Sequence, residues 1–392
     1  MQAASIVFLA APTAPPVAAL AAAEPPTVIP MTSEGWTLAP AAGWIPDRQG
    51  GKTAFASYEG FPDGVMTVPD EAIMVSRMAH LADGSIDFDI KPLAYSDTGI
   101  IFRRQGNDSG EFLYLRADPD CPAANDCIQY VPVTHGLMSW NIYSTEQGPA
   151  PITTTGWNHL RLMVAGGRME VFVNHLQEPT LVVKLRGAKG DGGIAFKGPA
   201  VYANLVIKAG GGDALAAVRD LTPAPGTITT WRSAAPVALP GGRTPVAADI
   251  PANAAWKPIE SAPDGLVDLG RAFGSPHAPA VATGWLQFTL ATDKPARHRL
   301  NIGWAPEITV FLNGTRVYSG SNFYHPAAGR LQPDGRLESD NASIQLDLQR
   351  GENRIVLAVG NRWRRSVGGF EASPYGWGAK ARLVDPAGTR VP

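Results

Sequence analysis

Eight polar and aromatic side chains lie on or beside four segments in the first half of the chain that are predicted to be neighbouring strands. Aromatic rings can stack on the apolar face of a pyranose, while Arg and Gln can hydrogen-bond to its hydroxyl groups. Arg also pairs with carboxylates through two parallel bonds, which would suit a uronate or another anionic sugar. The set therefore predicts a carbohydrate site. Its members are Arg103, Tyr114, Arg116, Gln129, Tyr130, His135, Trp140 and Tyr143.

Two carboxylates could add catalysis to such a site. Cleavage of a glycosidic bond normally needs two carboxyl groups, about 5–5.5 Å apart for retention or about 6.5–9.5 Å apart for inversion. Asp87 and Asp89 are two residues apart on one predicted strand, so they share a face at a separation of that order. His135 is a further catalytic candidate. The alternative interpretation of Asp87 and Asp89 is a solvated polar strand face, and the pattern favours it.

Several other functions find no support in the sequence. The seven histidines are scattered without metal-ligand spacing, and neither a P-loop nor a G-x-S-x-G motif is present. The formal net charge is −2, without a basic patch of the kind that nucleic acid requires. We therefore expect an oligo- or polysaccharide partner, no nucleic acid and no cofactor, although a structural calcium ion would be compatible with the sequence.

The only two cysteines are Cys121 and Cys127, which are separated by five residues of an apparent loop. An even pair that closes a short polar loop in an exported chain predicts a disulfide bond. The alternative is a zinc site, but two thiolates without further Cys or nearby His ligands make a poor one.

Residues 1–23 resemble a signal peptide. An apolar, Ala-rich run ends at Ala21–Ala23 and is followed by a polar, Pro-containing start. A disordered Ala/Pro tail on a cytosolic protein is the alternative. No other stretch approaches the roughly 18 apolar residues of a spanning helix, so no membrane span is predicted. The expected location is secreted or periplasmic.

The remaining chain has the pattern of short antiparallel strands. In residues 156–174, apolar side chains alternate on both sides of Gly166-Gly167, which predicts a hairpin. Residues 307–319 predict a second hairpin around Asn313-Gly314. About a dozen such strands occur before a Gly/Ala/Pro-rich linker, and more follow it. We predict an all-β protein with domains at residues 36–208 and 227–386, joined by a linker at residues 209–226.

Longer strand patterns resemble two known families. The segments S-I-D-F-D-I-K-P, G-I-I-F-R-R, G-W-N-H-L-R-L-M-V and R-M-E-V-F-V-N resemble the concanavalin A-like jelly rolls over roughly residues 50–208. Among those, the laminin-G-like domains and the 3-keto-disaccharide hydrolase group are most similar. The segments D-G-L-V-D-L, I-T-V-F-L-N-G and G-E-N-R-I-V-L-A-V resemble galactose-binding-like sandwiches. The implied fold is a concanavalin A-like jelly-roll sandwich followed by a smaller galactose-binding-like β-sandwich.

The resemblance implies work on carbohydrate. In the keto-disaccharide group the concave sheet carries the polar site, which corresponds here to Arg103, Tyr114 and Arg116. That family commonly has a carboxylate where this chain has Tyr114. The implied function is a glycoside-cleaving enzyme of the glycosidase or keto-glycoside hydrolase type, with its cleft on the concave face of the first domain. A non-catalytic, lectin-like glycan-binding protein is the alternative.

Overall fold

A computed structural model describes residues 25–40, 51–210, 223–274, 281–324, 334–364, 370–372 and 375–392. The predicted signal peptide and most of the predicted linker lie outside these residues. The described elements are nearly all strands, and their ladders are antiparallel. The predicted all-β class is therefore confirmed.

The strands are numbered in chain order. They are β1 Thr27–Ile29, β2 Trp36–Leu38, β3 Ala54–Tyr58, β4 Phe61–Val68, β5 Ile73–Leu81, β6 Gly84–Pro92, β7 Thr98–Gln105, β8 Ser109–Leu115, β9 Ile128–Thr134, β10 Leu137–Met138, β11 Gln147–Gly148, β12 Asn158–Ala165, β13 Arg168–Val173, β14 Leu181–Lys184, β15 Gly192–Lys197, β16 Ala200–Ala209, β17 Trp231–Val237, β18 Lys257–Ile259, β19 Val267–Asp268, β20 Thr283–Thr292, β21 Ala296–Ala305, β22 Glu307–Leu312, β23 Thr315–Ser321, β24 Ala342–Leu348, β25 Gly351–Gly360, β26 Arg362–Arg364, β27 Phe370–Ala372, β28 Gly378–Val384 and β29 Thr389–Arg390. The described residues also contain one short helix, α1, at Leu269–Phe273, and three 3₁₀ turns at Pro240–Gly242, Ala247–Asp249 and Asn253–Ala255.

Strands β1–β16 form a sandwich of two eight-stranded sheets, which we call the N-terminal module. The outer sheet has the order β14-β13-β12-β6-β16-β4-β3, and β1 also pairs with β16. The middle sheet has the order β10-β9-β8-β7-β15-β5-β2, and β11 also pairs with β9. A continuous apolar core fills the space between the two sheets.

The β12–β13 hairpin forms as predicted. Leu160, Leu162 and Val164 are buried, as are the alternate residues of β13, so one face of the hairpin points into the core. The ladder of β12 with β6 then fixes which polar side chains lie beside each other on the opposite face, with His159 opposite Asp89 and Arg161 opposite Asp87. This solvent-facing side of the outer sheet is called the open face below.

Strands β7, β8 and β9 of the middle sheet are buried on both sides. In β8, Leu113 and Leu115 face the core between the sheets, while Phe112 and Tyr114 face the opposite way. This second face packs against residues from the second half of the chain. The contributing residues of the second half are Leu266, Ala305 and Leu337. The molecule therefore has the outer sheet, the middle sheet and the second half of the chain in successive layers.

Strands β17–β29 form the C-terminal module. A seven-stranded sheet (β18-β17-β20-β25-β22-β23, with β29 on β20) and a four-stranded sheet (β19-β28-β21-β24) enclose a separate apolar core, and β26 pairs with β27. The predicted β22–β23 hairpin turns at Asn313-Gly314, where both residues have positive φ. Both modules reach beyond the predicted limits, because Thr27–Ile29 pairs with β16 and Thr389–Arg390 pairs with β20. These ladders satisfy the backbone hydrogen-bonding groups of both terminal strands.

The predicted bond between Cys121 and Cys127 is present, with the two sulfur atoms 2.07 Å apart. The bonded loop leads into β9 and lies beside the middle sheet, with Cys127 in the core. The disulfide prediction is confirmed.

Candidate functional site

Three of the predicted carbohydrate ligands form a buried network on the middle sheet. The Arg116 guanidinium donates to the Tyr114 hydroxyl and to Gln129 Oε1, each at 2.8 Å. Tyr114 donates to the same Gln129 oxygen at 2.6 Å, and Gln129 donates to the carbonyls of Trp140 and Tyr143. All five residues are less than 9% exposed. Their hydrogen-bonding groups are directed at each other rather than at an open cleft.

The C-terminal module covers this network. The Asp126 carbonyl accepts a hydrogen bond from Arg116. The Asp126 carboxylate accepts a second hydrogen bond, of 2.5 Å, from Arg336 of the C-terminal module. Tyr143 donates to Asp268, the N-cap residue of α1, at 2.9 Å. Trp140 packs edge-on against Tyr324 and Tyr375, and the distances between ring centroids are 5.0 and 5.5 Å. The face predicted to be a concave cleft is therefore an interface between modules.

The remaining predicted residues lie elsewhere. The expectation that Arg103 shares a face with Tyr114 and Arg116 is wrong, because a ladder irregularity after Phe102 and a positive φ at Arg103 break the alternation. Arg103 donates instead to the Ala82 and Gly166 carbonyls. Tyr130 points into the core between the sheets, where its hydroxyl donates to Glu111 at 2.6 Å.

His135 is exposed, and its Nε2 lies 3.2 Å from the carbonyl oxygen of Arg271.

Asp87 and Asp89 belong to a polar cluster on the open face. His159 lies between them, with Nδ1 2.8 Å from Asp89 and Nε2 3.5 Å from Asp87. Arg161 Nε donates to Asp87 at 2.6 Å, and Asn204 Nδ2 donates to Asp89 at 2.6 Å. The five residues come from three adjacent strands: β6 supplies the carboxylates, β12 the cations and β16 the amide. The cluster thus joins acceptors and donors within a few ångströms of each other.

Residues in unusual backbone conformations hold the cluster in place. Asn204 lies within a ladder irregularity of β16 and has a φ of 51°, which directs its side chain towards Asp89. Asn174, with the same φ, accepts a bond from the His159 backbone N–H and donates its own N–H to the His159 carbonyl. His175 also has positive φ and stacks on the His159 ring at 4.4 Å. Three positive φ values at non-glycine residues in one place are uncommon, and such backbone strain clusters at functional sites.

The charges of the cluster balance each other. Hydrogen bonds to Asp87 and Asp89 raise the pKa of His159 to about 9, although burial opposes this. Burial alone would raise the pKa of Asp87, but hydrogen bonds from His159 and Arg161 outweigh it and lower the pKa. At neutral pH, His159 is therefore protonated and Asp87 is ionised. The Arg161 side chain is 55% exposed, so its guanidinium remains accessible to a ligand.

An aromatic group lies beside the cluster. Trp157 precedes β12 and is two residues, about 7 Å, from His159 along the chain. The Trp157 ring contacts Phe61 of β4, with centroids 4.5 Å apart, and Tyr58 of β3 at 6.3 Å. Tyr58 is 52% exposed. The open face therefore combines charged hydrogen-bonding groups with accessible aromatic rings.

Sequence reasoning found Asp87 and Asp89 but missed their partners. The alternation in Trp157, His159 and Arg161 was a usable signal, because these residues occupy the polar side of a strand whose other side is apolar. Asn204 and His175 carried no such signal, since their positions depend on a bulge and on left-handed backbone.

Comparisons with known proteins give fold neighbours at low similarity. No family model and no curated protein matches the chain. Among solved structures, a family-66 carbohydrate-binding module from Bacillus subtilis aligns at 14% identity over 45% of this chain and 92% of that one, with a TM-score of 0.29. Domain 4 of an extracellular arabinanase from Geobacillus stearothermophilus, solved with arabinotriose, aligns at 12% identity over 47% of this chain and 91% of that one, with a TM-score of 0.30. A glycosyl hydrolase family protein from Mycobacterium fortuitum aligns at 14% identity over 48% of this chain and 87% of that one, with a TM-score of 0.26. No residue role follows from similarities at this level.

No group of three or more His, Cys, Asp or Glu side chains within the described ranges could hold a metal ion. The structural calcium ion stays a prediction. The described helices also include none that is long and apolar enough to cross a bilayer.

Proposed function

We propose that this protein binds carbohydrate on the open face of its outer sheet. The observation that carries the proposal is the preorganised cluster of Asp87, Asp89, His159, Arg161 and Asn204 beside the aromatic group. Sugar hydroxyls both donate and accept, so they match a site that presents carboxylate oxygens and cationic N–H groups together. The Trp157 and Tyr58 rings supply an apolar surface for the face of a pyranose.

The charge state of the cluster favours binding over cleavage. A glycosidase needs one carboxyl group whose pKa is raised, so that it can protonate the leaving oxygen. Asp87 has a lowered pKa, and both carboxylates are engaged by His159. Glycoside cleavage by Asp87 and Asp89, with the keto-glycoside specificity that the sequence resemblance implies, is the second candidate. An assay for released reducing ends on a panel of polysaccharides tests it, and release that is lost in Asp87→Asn would favour the enzyme.

Replacing Arg161 with alanine is expected to weaken glycan binding while the protein stays folded. Loss of a charged donor costs roughly 1.5–3 kcal/mol of binding free energy, which is about a tenfold or greater rise in Kd. Glycan-array screening would first identify a ligand, and titration calorimetry of both proteins would then give the two Kd values. Thermal unfolding of the variant checks the fold.

The C-terminal module offers a matched control. Arg297 is also exposed and donates through Nε to a carboxylate, that of Asp347, at 2.6 Å, as Arg161 does to Asp87. Arg297→Ala removes an equivalent surface ion pair far from the open face in sequence and should leave the Kd unchanged. Equal Kd values for Arg161→Ala, Trp157→Ala and wild type would remove the open face as the site.

The disulfide bond supports an exported location. Such bonds persist in oxidising compartments and are rare in the cytosol of mesophiles. We infer that the protein works in the periplasm or outside the cell, where it would meet oligo- or polysaccharides.

A further inference from the structure

A cavity lies between the two modules at one end of the N-terminal sandwich. It has a volume of about 540 Å³, which is within the range of small-molecule sites. The N-terminal module contributes the turns after β5 and β12 and the segment 184–190. The C-terminal module contributes residues 260–263 and Arg271. None of the residues of the open-face cluster lines it, so its occupancy is independent of the function proposed above.

The lining of this cavity is strongly cationic. Five Lys and Arg side chains border it against two acids, although the whole chain has a formal net charge of −2. Asp83 is paired with Arg103 at 2.8 Å, and Arg186 lies 3.7 Å from Glu146, an acid outside the lining. The cationic residues are Arg103, Lys184, Arg186, Lys189 and Arg271, and the acids are Asp83 and Glu260. Among the described residues, Lys184 and Lys189 have no acidic partner, and both are exposed.

Buried side chains of the N-terminal module hold the backbone of the cavity wall at Arg186 and Gly187. Glu111 is fully buried and accepts the Gly187 N–H at 3.1 Å through both oxygens. Tyr130 joins the same network, since it donates to Glu111 and accepts the Arg186 N–H at 2.7 Å. From the other module, the Arg271 guanidinium donates to the Arg186 carbonyl at 2.7 Å. The backbone at Arg186 and Gly187 is therefore held by buried hydrogen bonds and tied to both modules, and Lys184 and Lys189 lie two residues to either side of it.

We propose that this cavity binds a small oxyanion-bearing ligand, whose carboxylate, phosphate or sulfate group is held by Lys184, Lys189 and Arg271. Oxyanions form short, charge-assisted hydrogen bonds with these side chains, and the excess of positive charge around the cavity attracts anions to it. The ligand contacts both modules, so its binding also stabilises the interface between them.

Titration calorimetry of the full chain tests the proposal with four probes: glucuronate, glucose, inorganic phosphate and sulfate. Glucuronate should bind, glucose should not, and the affinity should fall as salt rises. Binding of glucuronate but not of the inorganic ions would identify an acidic saccharide as the source of the oxyanion. Binding of phosphate or sulfate would identify a free or ester anion. Failure of all three anionic probes at low salt would overturn the proposal.

A charge-matched pair of variants separates a specific site from general attraction. Lys184→Gln/Lys189→Gln should raise the Kd of the bound anion at least about tenfold, because two charges are lost from the site. Lys257→Gln/Lys294→Gln removes the same charge from exposed positions outside the cavity and should leave the Kd unchanged. Equal weakening in the two double variants would show only nonspecific attraction and would refute the site. Glycan binding by Arg161→Ala reports on the open face separately, so failure of either proposal leaves the other standing.

Discussion

Arg116→Ala is expected to lower the free energy of unfolding by about 3–5 kcal/mol, the usual cost of breaking a buried ion pair. The Arg116 side chain is 10% exposed and lies 3.7 Å from the Asp126 carboxylate, its ion-pair partner. It also donates to Tyr114, Gln129 and the Asp126 carbonyl. Its removal leaves the Asp126 carbonyl without this donor, takes one of two donors from Gln129 Oε1, and opens a cavity under the C-terminal module. Chemical denaturation monitored by tryptophan fluorescence gives the change directly.

Arg297→Ala is again the control, because an exposed arginine in a surface ion pair should change the unfolding free energy by less than about 0.5 kcal/mol. Sequence reasoning alone leads to a different expectation, in which Arg116→Ala stays fully stable and loses sugar binding. A stable variant with weakened glycan affinity would support that earlier interpretation and contradict the buried network.

The sequence contained evidence for this burial. The runs Ile100–Phe102 and Phe112–Leu115 are continuously apolar rather than alternating. Such runs indicate a strand that is covered on both faces, whereas a solvated sheet alternates between apolar and polar residues. Strand positions and both hairpins could be predicted, because they depend on local alternation and turn residues. The partner that covers the middle sheet could not, because the contact joins residues more than a hundred positions apart.

On the open face, too, local features could be predicted from the sequence and long-range contacts could not. Asp87 and Asp89 were predictable as neighbours because they are two residues apart in one strand. Their pairing with His159 depends on the register between β6 and β12, which are separated by 65 residues from Pro92 to Asn158, ends excluded. Register of that kind is fixed by packing of the whole sheet and cannot be read from one segment. Bulges such as the one at Asn204 are harder still, since they depend on both neighbouring strands.

Glu146→Gln is expected to leave stability unchanged near pH 4 and to raise it at pH 8. Burial raises the pKa of Glu146 from 4.5 to about 7, although Arg186 opposes this. Between these values the folded protein keeps a proton that the unfolded chain has lost. The free energy of unfolding therefore falls as pH rises through this window, and the decrease is complete above pH 7. Glutamine has no proton to lose and is uncharged at every pH, as the protonated carboxyl is.

The expected gain at pH 8 is up to about 3 kcal/mol, from 1.36 kcal/mol per pKa unit. Unfolding curves of both proteins at several pH values from 4 to 8 should diverge progressively. Burial also raises the pKa of Glu111 to about 7, so Glu111 makes the unfolding free energy depend on pH in the same window. This contribution is present in both the wild type and the variant. The difference between the two curves therefore isolates Glu146. Asp347→Asn, at a side chain that is 73% exposed, is the control and should show no such divergence. Parallel curves for Glu146→Gln and wild type would mean that this carboxyl is solvated, and that the interface near Arg186 admits water.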